Sequence, residues 1–213
     1  MIGSQYHSYK IFGEDNPNKS EKFRSNQQSK EKIILAYIMY AIAKCKSPSF
    51  VELFCADGYY ALAAKRFGAV SSTGIDNGHK GYFKHAENIA TYFNEIVSFI
   101  NMDVADMDKL FTVDIIANVG GLYHVTNPEE ILQKSYDLAK KYLIVQTVVS
   151  LEPGEDVYFE KSPKDRSWGS RFNRQYMDYL VGKYKVIDRH YNELRGNTEA
   201  KNRGNATYLI AKD

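Results

Sequence analysis

Hydrophobic and polar residues follow two different periods along this chain. Apolar residues between positions 29 and 46 recur at three- and four-residue steps, which predicts a helix that ends before Pro48. Short apolar runs then predict five strands, at residues 50–54, 70–75, 96–100, 113–119 and 142–149. The stretches between them predict helices at residues 59–67, 80–93 and 129–141.

The pattern changes on either side of this region. Residues 1–28 are polar with scattered aromatic side chains and no sustained period, and we interpret them as a loop or lid. Residues 152–170 also lack a clear period, and a helix follows near residues 173–183. Two late strands, at residues 185–191 and 205–211, are joined by a Gly- and Asn-rich connection and predict an antiparallel hairpin at the sheet edge.

Strands that alternate with helices at this spacing indicate βαβ units and a parallel sheet covered on both faces. The predicted fold class is therefore α/β, a Rossmann-like doubly wound seven-stranded sheet. It is mostly parallel with a C-terminal antiparallel hairpin, and it carries an N-terminal helical lid. We expect residues 1–46 to form the lid and helix and residues 47–213 to form the main domain.

Composition limits the functions that remain open. The chain has 213 residues, 44% of them hydrophobic, enough for one core. The net charge of +2 gives no strong attraction to polyanions, so a nucleic-acid surface would need local clustering of basic residues. Cys45 and Cys55 form no disulfide framework or metal motif. The polar N-terminus and short apolar runs predict a cytoplasmic protein without a membrane partner.

Candidate ligand-binding residues follow the predicted strands, because doubly wound sheets bind ligands beyond their carboxyl ends. The first such loop reads VELFCADGYYAL, and Gly58 permits a turn with a ligand pressed against it. The G-x-G-x-x-G fingerprint is absent, which argues against a pyrophosphate cradle. Asp76, 18 residues later, is placed to accept hydrogen bonds from a ribose diol. Asp103 could accept from an adenine amino group, with Met102 packed against the base.

Residues 50–149 resemble the class I methyltransferase family. VELFCADGYYAL is similar to the family's first motif, with Glu52 as its acidic residue and Phe54 and Ala56 in place of two glycines. TGID, NMD and DIIANVGGLYHV resemble the second, third and fourth motifs. The resemblance implies S-adenosylmethionine as the cofactor. The residues implied to line it are Glu52, Cys55, Ala56, Gly58, Asp76, Met102, Asp103 and Asn118, with Cys55 in the core or beside the cofactor.

A narrower likeness concerns the acceptor. ADGYYALAAKRFGA and GLYHVTNPEEIL are similar to a subgroup that includes tRNA wobble-uridine modifying enzymes and methyltransferases acting on sugars or secondary metabolites. SWGSRF resembles the substrate-side loop of that subgroup. The likeness therefore supports the reaction more than any one substrate.

His124 follows the fourth strand, where it could serve as a general base or simply pack and orient its loop. We expect the acceptor pocket between His124, residues 152–174 and the N-terminal segment. Its candidate substrate-binding residues are Tyr6, Tyr9, Trp168 and Arg171, which could alternatively anchor loops to the surface.

The expected function is methyl transfer from S-adenosylmethionine to a hydroxyl of a small molecule or sugar. No metal is expected, because Asp106 and Asp108 after Asp103 are typical of a helix start. One alternative is a tRNA or other RNA methyltransferase. Its candidate basic cluster is Lys161, Lys164, Arg166, Arg171 and Arg174. Another is a non-catalytic cofactor-binding or partner subunit, which the two replaced glycines keep open.

Overall fold

A computed structural model of the chain describes residues 5–14, 20–154, 156–163 and 168–212. Its α-helices are α1 (Glu21–Lys44), α2 (Tyr59–Arg66), α3 (Ala86–Tyr92), α4 (Pro128–Leu138) and α5 (Arg174–Val181). Its strands are β1 (Ser49–Leu53), β2 (Ser71–Asp76), β3 (Ser98–Asn101), β4 (Val113–Val119), β5 (Ala139–Val149), β6 (Phe159–Lys161), β7 (Ser170–Phe172), β8 (Lys185–Glu193) and β9 (Gly204–Ala211).

Seven of these strands form one sheet in the order β3-β2-β1-β4-β5-β9-β8. The first five strands along the chain pair in parallel, and β9 lies antiparallel between β5 and β8. This confirms the predicted fold class, including the C-terminal hairpin. Strand order reverses between β1 and β4, the point at which doubly wound sheets open a crevice for ligands.

The core consists of two buried clusters on opposite faces of the sheet. Phe50 of β1 packs in the cluster that contains Ile38 of α1, whereas its neighbour Val51 packs in the cluster that contains Ile131 of α4. Successive side chains of a strand point to opposite faces, so a central strand covered on both faces is predominantly apolar. This burial explains why the central strands contain adjacent apolar residues rather than a strict alternation.

The helix α1 is longer than its hydrophobic period indicated. It begins at Glu21 rather than near residue 29, and the Ser20 hydroxyl caps it by accepting from the Phe23 backbone N–H (3.3 Å). The first turns are polar and largely outside the core, so they have no apolar stripe that a periodicity analysis could detect. The expectation that residues 1–28 form a loop is therefore wrong from Glu21 onward.

The segment after β5 contains structure that the sequence did not reveal. Strands β6 and β7 form a separate antiparallel pair, and three residues each are too few to show alternation. The Asn173 carboxamide caps α5 by accepting from the Tyr176 N–H (3.0 Å) and also accepts from the Tyr158 N–H (3.1 Å). Asn173 thus fixes this segment to the start of α5.

None of the helices in the described part of the chain is long and apolar enough to cross a membrane. The same residues contain no group of three or more His, Cys, Asp or Glu side chains that could hold a metal ion.

Candidate active site

A cavity of about 380 Å³ opens beyond the carboxyl ends of β1, β2 and β4. That volume lies within the range of small-ligand sites. Its walls come from the ends of these strands, the loops that follow β1 to β4, the helices α1 and α2, and the N-terminal segment. The cavity therefore occupies the crevice that the strand order creates.

The turn between β1 and α2 (residues 54–58, the β1–α2 turn) has a backbone suited to glycine. Phe54 (φ 59°), Ala56 (φ 51°) and Gly58 (φ 80°) all adopt left-handed conformations. Phe54 and Ala56 are the positions at which the sequence replaces the family's glycines, and both line the cavity. A side chain on Gly58 would meet the ring of Phe99 at 2.4 Å. The backbone conformation and the nearby Phe99 ring therefore both require glycine at position 58.

Asp76 joins this turn to the end of β2. One carboxylate oxygen accepts from the Ala56 N–H (3.0 Å) and the other from the Gly78 N–H (2.8 Å). A carboxylate has about four acceptor positions, so two protein donors leave capacity for a ligand. Asp76 lines the cavity with that capacity available.

Asp103 lies at the cavity wall beyond β3 and begins a 3₁₀ helix, Val104–Lys109, by accepting from the Ala105 N–H (2.9 Å). Its other oxygen accepts from the Asn77 side chain (3.1 Å). Asp106 lies in the first turn of this 3₁₀ helix, as expected for a helix start, whereas Asp108 lies near its end, and both form exposed ion pairs with lysines.

Glu52 and Lys30 place a carboxyl group and an amino group close to each other at the cavity. Glu52 is 1% exposed and accepts from the Ala61 N–H (2.7 Å). Burial raises the pKa of Glu52 well above its ordinary range despite that hydrogen bond. Lys30 projects from α1, and burial lowers the pKa of its ammonium to about 8, although the nearby Glu52 acts to raise it. No carboxylate within the described ranges lies at ion-pair distance from Lys30, and sequence reasoning did not identify this residue.

Asp57 anchors the N-terminal segment over the cavity. Its carboxylate accepts from the backbone N–H groups of Tyr6 (2.6 Å) and His7 (3.0 Å) and pairs with His7 Nδ1 (2.6 Å). Burial raises the pKa of Asp57, but the charge and hydrogen bonds of His7 outweigh it and hold the pKa below its ordinary value. Tyr6 and His7 line the cavity as a result. Tyr9 instead donates its hydroxyl proton to the Asp57 carbonyl (3.0 Å) and is fully buried.

His124 also lines the cavity, at the end of a 3₁₀ turn, Leu122–His124, that follows β4. Gly169 packs directly behind this turn. Its N–H donates to the Tyr123 carbonyl (3.0 Å), and a side chain at Gly169 would approach the His124 carbonyl oxygen to 2.3 Å. The segment that includes β6 and β7 therefore supports the His124 turn from outside the cavity.

Among the sequence-predicted site residues, the cavity brings together Tyr6, Glu52, Ala56, Asp76, Asp103 and His124. The other predicted residues do not line it: Cys55, Gly58, Met102, Asn118, Tyr9, Trp168 and Arg171.

Burial or contacts with other residues account for the positions of these residues. Asn118 donates to the Ser135 hydroxyl of α4 (3.0 Å), Met102 packs against the core cluster on the α4 face, and Cys55 is fully buried. The guanidinium of Arg171 lies 4.3 Å from the centre of the Trp168 ring. Lys164 and Arg166 of the predicted basic cluster lie outside the described residues.

Comparison with known proteins gives no match to any family model or any curated protein sequence. Solved structures do match. The N-terminal domain of EvdMO1 with SAH bound has a TM-score of 0.72 and 15% identity, covering 100% of this chain and 93% of that chain. The same domain in the presence of SAH and D-fucose has a TM-score of 0.64 and 17% identity, covering 87% and 84%.

Two further methyltransferases share the architecture. Magnesium protoporphyrin IX methyltransferase from Synechocystis PCC 6803 with bound SAH has a TM-score of 0.70 and 11% identity, covering 96% of this chain and 93% of that chain. Coclaurine N-methyltransferase bound to N-methylheliamine and SAH has a TM-score of 0.66 and 13% identity, covering 85% and 70%. The resemblance found in the sequence is thereby confirmed at the level of fold, and this chain has the Rossmann-like fold of the class I S-adenosylmethionine-dependent methyltransferases.

Proposed function

We propose that this chain is a methyltransferase that transfers the methyl group of S-adenosylmethionine to a hydroxyl of a small molecule or sugar. The observation that carries the proposal is the set of acidic and basic groups collected in one cavity: Glu52, Asp76 and Asp103 at or just beyond the ends of three adjacent strands, together with Lys30. These groups match the polar parts of S-adenosylmethionine.

The nucleoside half of the cofactor fits the carboxylates of β2 and the loop after β3. Asp76 retains acceptor capacity for the two ribose hydroxyls, and its position is fixed by two backbone donors. Asp103 can accept from the adenine amino group, and the apolar side chain of Val104 lies beside it on the cavity wall. Both residues are held before the ligand arrives, which reduces the ordering cost of binding.

The amino-acid half fits the floor of the cavity. Lys30 is a cation without a carboxylate partner among the described residues, so it can neutralise the α-carboxylate of the cofactor. The buried carboxyl of Glu52 is the natural partner for the α-ammonium group, which would favour its ionised form. The two ends of a zwitterion thus meet groups of opposite charge.

The acceptor side is assigned to the wall that carries His124. When bound, S-adenosylmethionine supplies a methyl group whose bond to the positively charged sulfur breaks as the acceptor oxygen takes it. The protein then has two tasks, to align the acceptor oxygen and to remove its proton. His124 lines the cavity and carries a ring nitrogen that can take that proton. Tyr6 and His7 also line the cavity, held there by Asp57, and would shield the reacting groups from water.

The structures that share the fold differ in the small molecules named with them, which are D-fucose, magnesium protoporphyrin IX and N-methylheliamine. The first of these supports a sugar hydroxyl as one candidate acceptor here. An RNA acceptor has less support, because Arg171 stacks on Trp168 and Arg174 pairs with Asp178. Tight tRNA binding with a steep salt dependence would reverse that preference.

The proposal is tested by turnover. A panel of hydroxylated sugars and phenols is incubated with the protein and S-adenosylmethionine, and methylated product and S-adenosylhomocysteine are quantified. For an acceptor that reacts, His124→Ala is expected to lower kcat by about 100-fold or more, while cofactor affinity stays within about twofold. His190→Ala, an exposed histidine on β8, is the matched control. Unchanged kcat in His124→Ala across pH would exclude His124 as the base.

A further inference from the structure

Phe54 combines a backbone conformation that disfavours it with a position on the cavity wall. Its φ of 59° lies in the left-handed region, where a bulky side chain is uncommon and persists only when its surroundings hold it there. Its sequence position is one at which the related methyltransferase motif has glycine. A strained residue that replaces glycine at a ligand cavity indicates that the side chain itself has a role.

The ring of Phe54 is held by a complementary glycine. A side chain on Gly121 would come within 1.9 Å of Phe54 Cδ2 and within 2.2 Å of two other ring carbons. The ring therefore lies directly against the Gly121 backbone, in space that only glycine leaves open. Phe54 also packs against the core cluster on the α4 face, which fixes the ring further.

The strand order shows which part of the cavity the ring serves. Strands β2 and β3, with Asp76 and Asp103 at or just beyond their carboxyl ends, lie on one side of β1, whereas β4 lies on the other side. Phe54 follows β1, and its ring contacts Gly121 just after β4. Gly121 also begins the turn that ends at His124. The ring is thus on the His124 side of the cavity, opposite the carboxylates assigned to the nucleoside.

We infer that Phe54 determines acceptor specificity by offering an aromatic face on which a ring-bearing acceptor stacks, with a ring hydroxyl directed to His124. This inference rests on the proposed function. An aromatic face favours flat apolar partners, namely a phenolic ring or the C–H face of a sugar ring. Tyr6 and Tyr82, whose ring centres are 5.0 Å apart, also line the cavity and add aromatic surface. A flexible linear alcohol gains little from such surfaces.

The test uses the full chain loaded with S-adenosylhomocysteine and three probes. They are 4-methylcatechol, methyl α-D-fucopyranoside and the linear 1,2-butanediol, and their dissociation constants are measured by ligand-observed NMR. We expect a ring probe to bind the unaltered chain and to bind Phe54→Ala about tenfold more weakly. Phe54→Tyr, which keeps the aromatic face, is expected to bind the ring probe within about threefold of the unaltered chain. The affinity for the linear diol is expected to be the same in the unaltered chain and in Phe54→Ala.

Phe54→Leu keeps apolar bulk without an aromatic face, and it replaces Phe54→Ala if that variant does not fold or bind S-adenosylhomocysteine. If the affinity for 4-methylcatechol depends on residue 54, the acceptor is phenolic; if the affinity for methyl α-D-fucopyranoside does, the acceptor is a saccharide. If S-adenosylhomocysteine binds but neither ring probe binds, or if affinity is the same without the aromatic ring, this inference is overturned and the proposed function stands. Failure of the unaltered chain to bind S-adenosylhomocysteine refutes the proposed function itself.

Discussion

Removing the Asp57 carboxylate is expected to release the N-terminal segment from the cavity. The carboxylate is fully buried and accepts from two backbone N–H groups and the His7 ring at 2.6–3.0 Å. Hydrogen bonds to a charged group contribute roughly 1.5–3 kcal/mol each, and breaking one partner of a buried ion pair costs about 3–5 kcal/mol. We take about 3–5 kcal/mol as the expected loss for Asp57→Ala, because the three contacts are not additive.

Native-state hydrogen exchange measures this loss directly, because the Tyr6 and His7 amides are themselves the donors to Asp57. A loss of about 3–5 kcal/mol corresponds to a fall in their protection of about 160- to 5,000-fold. Asp57→Asn keeps an acceptor oxygen without the charge and should lose less. Asp137→Ala, an exposed carboxylate on α4, is the control.

A double-mutant cycle with His7→Ala separates the ion pair from other effects and should give a coupling energy above about 1 kcal/mol. Because the pKa of Asp57 is held below its ordinary value, its contribution is full above about pH 4 and is lost as pH falls further. The anchoring role would be refuted if the Tyr6 and His7 amides of Asp57→Ala kept a protection free energy within about 0.5 kcal/mol of that in the unaltered protein.

Two other predictions concern the cavity floor and the His124 turn. Burial lowers the pKa of Lys30 to about 8, so cofactor affinity measured by calorimetry should fall as pH rises above 8, and Lys30→Met should weaken binding and reduce that pH dependence. An affinity independent of pH between 7 and 9 in the unaltered chain would exclude the carboxylate contact. Gly169→Ala should lower thermal stability by about 1–3 kcal/mol and impair turnover, because the added carbon meets the His124 carbonyl oxygen at 2.3 Å. Unchanged stability would show that the turn can relax.

The sequence predicted the sheet because its central strands are buried on both faces. Strands such as β4, with Ile115 and Ile116 in opposite core clusters, are predominantly apolar, and that pattern is visible without a structure. Because the strand ends could be predicted, the acidic residues at or just beyond them, Asp76 and Asp103, could be predicted to lie at the cavity. Features set by strand order and by strand ends are therefore accessible to sequence reasoning.

Contacts between distant segments were not accessible. His7 and Asp57 are 50 residues apart, and neither lies in a periodic pattern that indicates the other. Lys30 occurs in a polar part of α1, and only the packing of that helix turns it toward the cavity. The need for glycine at position 58 was predicted, but the group that faces it, Phe99, was not. Asn118 was expected at the cofactor, yet the alternation of β4 directs it to Ser135.

Cofactor binding is best tested by calorimetric titration of the full chain with S-adenosylmethionine and S-adenosylhomocysteine. We expect one site per chain with a dissociation constant in the micromolar range or tighter. Asp76→Ala is expected to weaken binding by about 30- to 150-fold, because loss of the ribose contacts costs about 2–3 kcal/mol. A folded, unaltered chain that binds neither compound would contradict the assignment of this cavity to S-adenosylmethionine.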